Sequence, residues 1–394
     1  MIERDISRQV LANARWFPVV SVTGPRQSGK STLVKHLFAD YEYINLEDDR
    51  FYNLAMESPA DFIRERPGRL VIDEAQRIPE IFNAIQVASD ERGETGQYVL
   101  SGSQNFLLSR RLTQSLAGRV GVVKLLPLSF RELASSPYDA AVDDFMVTGG
   151  YPRIYDVGIP ANVFYRNYVS TYVERDASEH IGPQNLMQFR VFLGLCAQAA
   201  GNLVNVSRFA ADLGVARATV SSWLSILESS YIVFRLAPYH ANTRKRLTKT
   251  PKLYFYDTGL LCHLLGIKTP EELRDSGLRG AVFENLVIAE TLKRHLNGGY
   301  EPEMFFFRDD SKVEVDLVDL TNRSDQELVE IKSSQTYQKR FERNLSTVGD
   351  MLGFPTEGRS LVMRGDASAQ LPNCKLWSAR DWLLRSCKGD WISF

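Results

Sequence analysis

A glycine-rich octapeptide, GPRQSGKS at Gly24–Ser31, constrains this chain more than any other feature. It satisfies G-x-x-x-x-G-K-[ST] at every fixed position. It follows VVSVT, whose valines on both faces suit a buried strand. The glycines let backbone N–H groups close around phosphates, and a helix starting behind them adds the positive end of its dipole. Gly24, Pro25, Arg26, Gln27, Ser28, Gly29, Lys30, Ser31 and Thr32 are therefore the expected nucleotide-binding segment. Lys30 is expected to reach the β- and γ-phosphates of ATP, and Ser31 to hold Mg2+.

The flanking pattern supports that placement. A helix is expected over residues 7–15, a strand over Val19–Thr23 and a helix over Leu33–Phe38. Short apolar runs at Tyr43–Leu46, Leu70–Ile72 and Tyr98–Leu100 predict further strands. Alternating strands and helices imply an α/β core with a parallel sheet, its functional groups gathered at the carboxyl ends of the strands. RLVIDEAQ carries Asp73 and Glu74 to such an end. Asp73 is the expected magnesium carboxylate, and Glu74 the group that orients or deprotonates the attacking water. YVLSGSQ ends the next strand with Ser103 and Gln104, candidates to contact the γ-phosphate or the water. Arg119, in SLAGRV, is the expected arginine finger, supplied by a neighbouring subunit, with Arg110 and Arg111 as alternatives. GGYP (Gly149–Pro152) with Arg153 is a candidate lid over the nucleotide.

A chain of 394 residues exceeds one ordinary core, so further domains are expected. From about Leu128 to Pro183 the pattern is helical. Ser207–Ser229 fits a helix-turn-helix, with Ser207 as N-cap, Gly214 at the turn and Arg217, Thr219 and Ser222 turned outward. Behind it, His240–Lys252 holds five basic residues and no acidic one, including Arg244, Lys245, Arg246 and Lys249. A formal net charge of −1 leaves DNA binding to such local patches, and this segment is the expected wing on phosphates. The last region predicts a helix at Gly280–Asn297, strands at Met304–Phe307, Val313–Val318 and Leu328–Lys332, a helix at Tyr337–Met351 and a strand at Ser360–Met363. VEVDLV and LVEIK set Asp316, Glu330 and Lys332 on neighbouring strands, with Glu284 on the preceding helix. Asp316 and Glu330 are candidate ligands of a second Mg2+ or of Mn2+, and with Lys332 and Glu284 they form a candidate nuclease site. Cys196, Cys262, Cys374 and Cys387 are scattered, which indicates neither a zinc site nor a disulfide framework. The charged N-terminus has no hydrophobic signal region, and no apolar run reaches the ~18 residues of a membrane span. A cytoplasmic protein without membrane contact is expected.

GPRQSGKST, VIDEAQ, SGSQNF, SLAGR, PLSFRE, GGYP, TYVERD, FYDTGLL, FENLV and EVDLV…LVEIK together resemble a prokaryotic family of AAA-plus ATPases. Its C-terminal domain is similar to PD-(D/E)XK nucleases. The resemblance covers essentially the whole chain. It implies a P-loop AAA-plus core at 1–127, a helical lid at 128–184, a winged-helix unit at 185–270 and an α/β restriction-endonuclease-like domain at 271–394. The expected activity is an oligomeric, Mg-dependent ATPase that binds and remodels DNA, with a nuclease tail. The competing expectation is a nucleotide-switched signalling or defence ATPase whose tail is a non-catalytic interaction module.

Overall fold

The structure is a computed structural model describing residues 1–102, 116–172, 181–239 and 250–387. Ser103, Gln104, Arg110, Arg111, Arg244, Lys245, Arg246 and Lys249 lie outside the described residues.

Five strands build the first sheet: β1 (Val19–Thr23), β2 (Glu42–Asn45), β3 (Leu70–Asp73), β4 (Tyr98–Gly102) and β5 (Val120–Lys124), in the order β2-β3-β4-β1-β5. All neighbours run parallel. Side chains alternate between the two faces of a strand, so a continuous apolar run serves a sheet covered on both. Val19, Ile44, Ile72 and Leu100 pack into one core, while Val20, Val22, Val71 and Val99 pack into another on the opposite face. β1 lies inside the sheet, so the loop after it opens along the sheet's carboxyl edge rather than at its margin. The acidic strand β3 is separated from β1 only by β4.

The chain then turns helical from Phe130 to Thr171. Two helices, Val206–Leu213 and Arg217–Ser229, are joined through Gly214 in the left-handed conformation. The N-cap of the first is Asn205, whose side chain accepts from the Arg208 N–H, two residues before the expected Ser207. Strands β6 (Val233–Pro238) and β7 (Lys252–Phe255) form an antiparallel pair behind them.

A second sheet of eight strands contains that pair together with β8 (Met304–Arg308), β9 (Glu314–Asp319), β10 (Glu327–Lys332), β11 (Arg359–Met363), β12 (Ala369–Gln370) and β13 (Lys375–Ser378). Its order is β12-β13-β11-β10-β9-β8-β6-β7, with parallel and antiparallel neighbours mixed. Strands on either side of residues 270/271 therefore share one sheet. The long helix Arg279–Asn297 packs on this sheet, burying Phe283, Leu286 and Val287. One continuous apolar core runs from Leu128 through Phe192, Trp223 and Phe283 to Trp382. Among the described residues, no helix is long and apolar enough to cross a membrane.

Candidate functional site

The loop after β1 has the backbone its sequence demands. A Cβ on Gly24 would lie 2.0 Å from the Leu125 carbonyl oxygen, so no larger residue fits. Gly29 caps the helix Lys30–Leu37 from the left-handed region, at φ 94°. The first N–H groups of a helix have no partner in its own ladder and favour anions. Lys30 is buried, and its ammonium donates to the carbonyls of Gly24 at 3.0 Å and Pro25 at 2.7 Å. The side chain thus lies folded back across the loop.

A cleft of about 830 Å³ opens over this loop. Arg26, Gln27, Gly29, Lys30, Ser31 and Thr32 line it together with Glu47 and Glu74 from the strand ends and with Pro152, Arg153 and Asp156. The expected lid motif therefore does border the cleft. Glu74 sits in the left-handed region at φ 55°, an unfavourable conformation for a non-glycine residue, and Gln76 donates to its carboxylate at 2.5 Å.

Asp73, at the end of β3, is buried and fully engaged. One oxygen accepts from the Tyr43 hydroxyl at 2.5 Å; the other accepts from the Ser101 hydroxyl and from the Glu74 N–H. The Tyr43 hydroxyl also contacts Ser31. Burial, then its bond to Asp73, raises the pKa of Tyr43 far above that of a free phenol. Ser31 and Asp73 thus meet at one hydroxyl, and the donor set there (serine hydroxyl, carboxylate, phenol) is of the hard-oxygen type that suits Mg2+. β4 presents Ser101 to Asp73. Tyr43 carries no motif signal, because a tyrosine within a strand ordinarily indicates packing.

Arg4 is a second residue without a motif. Its buried guanidinium donates to the Ser28 carbonyl at 2.9 Å, the Leu126 carbonyl at 2.7 Å and Glu132 at 3.0 Å. Glu132 also closes a capping box on Ser129, which fixes the carboxylate that holds Arg4. Arg119 lies elsewhere. It immediately precedes β5, at the end of the sheet away from the loop, and forms a two-bond ion pair with Asp90 at 2.6 and 3.0 Å. In its own chain it does not border the cleft.

The second expected constellation is assembled. Glu284, Asp316, Glu330 and Lys332 all interact electrostatically. Burial, followed by the Asp316 charge, raises both Glu284 and Glu330 above the usual carboxylate range. Lys332 donates to Glu330 at 2.5 Å, and Asp316 accepts the Ile331 N–H at 2.8 Å. Two further residues, Lys252 and Tyr254, enter from outside the motifs, and Glu314 of VEVDLV joins them. Lys252, at the start of β7, contacts Glu284 at 3.0 Å and Glu314 at 2.5 Å, and Tyr254 donates to Glu284 at 2.6 Å. Among the described residues, no group of three or more His, Cys, Asp or Glu side chains is arranged to hold a metal ion. In the middle unit, Arg217 and Ser222 are exposed and Thr219 is half-buried.

Three family descriptions match the chain in succession: "AAA domain" over residues 17–134, "Domain of unknown function (DUF8612)" over 139–271 and "Domain of unknown function (DUF4143)" over 279–382. The "Uncharacterized protein Rv2008c" of Mycobacterium tuberculosis is 30% identical over 325 residues, covering 81% of this chain and 72% of the relative. "Uncharacterized protein MJ1544" of Methanocaldococcus jannaschii is 24% identical over 351 residues, covering 81% and 75%. The solved "walker-type atpase paby2304 of pyrococcus abyssi" is 16% identical, with a TM-score of 0.45 over 67% of this chain and 96% of that one. With a P-loop AAA-type ATPase domain at its N-terminal end, the chain belongs to the family of the Mycobacterium tuberculosis protein.

Proposed function

We propose that this protein is a Mg-dependent ATP hydrolase that works as an oligomer on DNA. The observation that carries the first part is the cleft: Lys30, Ser31 and Glu74 border one open space beside the buried Asp73. The Lys30 ammonium exchanges its two carbonyl partners for the β- and γ-phosphate oxygens. Ser31 and Asp73 would hold Mg2+, which would supply charge neutralisation on the phosphates. Glu74 orients the attacking water and takes its proton, with Gln76 fixing the carboxylate. Arg153, beside the lid motif, neutralises the leaving charge when the lid closes. The test is ATP hydrolysis with and without Mg2+, in the wild type and in Glu74→Gln.

The DNA reading is supported by the exposed Arg217 and Ser222 on the second helix of the middle pair, a position suited to a groove. The basic segment with Arg244, Lys245, Arg246 and Lys249 would lie on the flanking phosphates. A buried hydrogen bond of 2.8 Å between Thr23, just before the loop, and Tyr231 connects that unit to the nucleotide site. Tyr231 adopts φ 58°, an unfavourable conformation for a bulky residue, and packs with Leu126 and Leu296 beside that bond. The same contact favours the alternative of a nucleotide-switched signalling protein. Linear and branched DNAs distinguish the two: a motor's hydrolysis rate rises with DNA, a switch's does not. Arg119 reaches a phosphate only in a neighbouring subunit, so its role as finger stands with the oligomer. Cleavage of DNA by the tail is read out with supercoiled, linear and branched DNA in Mn2+, comparing wild type with Asp316→Ala.

A further inference from the structure

The nuclease-like pattern in the tail asks for carboxylates with oxygen atoms open to a divalent cation. At least one oxygen of each carboxylate in the cluster is engaged by a protein donor instead. Glu284 Oε1 accepts from both Lys252 and Tyr254, Glu314 Oε1 takes Lys252, Asp316 Oδ2 takes the Ile331 N–H, and Glu330 Oε1 takes Lys332. Mg2+ demands about six oxygen ligands near 2.0–2.1 Å. Among the described residues, no three His, Cys, Asp or Glu side chains are arranged to supply a share of them.

We propose that Lys252 is the cation of this cluster: its ammonium holds Glu284 and Glu314 in place of a divalent metal, and the tail is a lysine-locked scaffold that does not cleave DNA. Three features carry the assignment. First, Lys252 is 3% exposed, so its charge cannot be hydrated and must be matched by protein groups. Burial alone would favour the neutral amine, but Glu284, Asp316 and Glu314 outweigh it and keep the ammonium form. Second, the charges already nearly cancel. Glu284, Glu314, Asp316 and Glu330 face Lys252, Lys332 and Arg308, the last 3.3 Å from Glu314, which leaves one negative charge from four carboxylates and three cations. With Lys252 in place, a divalent ion would only turn that single negative charge into a single positive one, and the lysine is already buried against Glu284 and Glu314. Third, Lys252 belongs to β7, which precedes the tail in sequence and lies at the edge of the shared sheet. The ion pairs therefore tie β7 to the helix Arg279–Asn297 through Glu284 and to β9 through Glu314.

The inference concerns the tail and does not rest on the ATP site. Its test is a Mn2+ titration of the full chain without nucleotide, followed by electron paramagnetic resonance of the free ion. Wild type and Asp316→Ala should bind the same number of Mn2+ ions. Lys252→Met removes the charge with little change in length; it should gain one Mn2+ site, and Lys252→Met/Asp316→Ala should lose it again. A wild-type site that disappears in Asp316→Ala overturns the proposal, and so does Asp316-dependent cleavage of any DNA in Mn2+. A folded Lys252→Met that gains no site shows that Lys252 is not what closes the cluster. If Lys252→Met does not fold, the comparison of wild type with Asp316→Ala, both carrying the lysine, decides alone.

Discussion

Single side chains in the cleft divide binding from chemistry. Lys30→Ala removes the ammonium folded over the loop and should weaken ATP binding, measured by titration with a fluorescent analogue. Glu74→Gln keeps the size and a hydrogen-bonding oxygen for Gln76 but cannot accept a proton, so ATP affinity should persist while turnover falls by roughly 10²–10⁴. Unchanged turnover in Glu74→Gln would remove it from the proposed mechanism. In the tail, the raised pKa of Glu330 makes a stability prediction. Burial and the Asp316 charge push it up to about 8, from 4.5 for the free group. Between these values the folded chain binds more protons than the unfolded one, so the contribution of Glu330 to stability declines as pH rises through that range. Glu330→Gln stays neutral throughout. Its Tm relative to wild type should therefore climb from pH 5 to pH 8, and a difference that is flat with pH would contradict the raised value.

At the scale of elements, the phosphate loop is held by structure outside its own motif. Arg4 precedes the first helix, Ser7–Trp16, yet it bonds the loop at Ser28, the segment after β5 at Leu126 and the capping glutamate at Glu132. Arg4→Met would leave Glu132 buried and without its cation. Breaking such a pair costs about 3–5 kcal/mol. A fall in Tm is therefore expected, accompanied by a raised KM for ATP because the loop is no longer anchored. Arg4→Lys, with one charge but no fork, should recover stability more than KM. Equal recovery of both would make Arg4 a packing residue without influence on the loop. The P-loop was legible because its glycines answer a local backbone demand. Arg4 was not, because an arginine near a terminus carries no spacing signal and its three partners lie 24, 122 and 128 residues away.

For the whole molecule, the proposed oligomer and its DNA binding predict two collective behaviours. Arg119→Ala should bind ATP and lose most turnover, and mixing it with Lys30→Ala should restore part of the rate, since one interface then pairs an intact loop with an intact arginine. A fully active monomer would rule this out. The pairing of Arg119 with Asp90 adds that assembly must open that bond, so Asp90→Ala should not reduce turnover. DNA affinity should fall steeply with salt. A variant with Arg217, Arg244, Lys245, Arg246 and Lys249 changed to Ala should flatten the slope by about 0.9 for each phosphate that is no longer neutralised. Equal slopes for the two proteins would assign the DNA site elsewhere.

The amino-acid sequence alone determined the parts that depend on local geometry. Apolar runs of strand length, the spacing of two glycines with Lys30 and Ser31, and acidic residues at strand ends specify a P-loop α/β core without reference to distant residues. The E-x-K spacing likewise put Glu330 and Lys332 on one face of β10, where they bond. The tertiary structure alone decided which groups complete those sites. Tyr43 reaches Asp73 because β2 lies beside β3, and Ser101 reaches it because β4 lies on the other side. Lys252 enters the carboxylate cluster because β7 joins the sheet that carries β9 and β10. Charge balance in a buried site is set by whichever residues the packing brings within a few ångströms, and sequence separation carries no information about that.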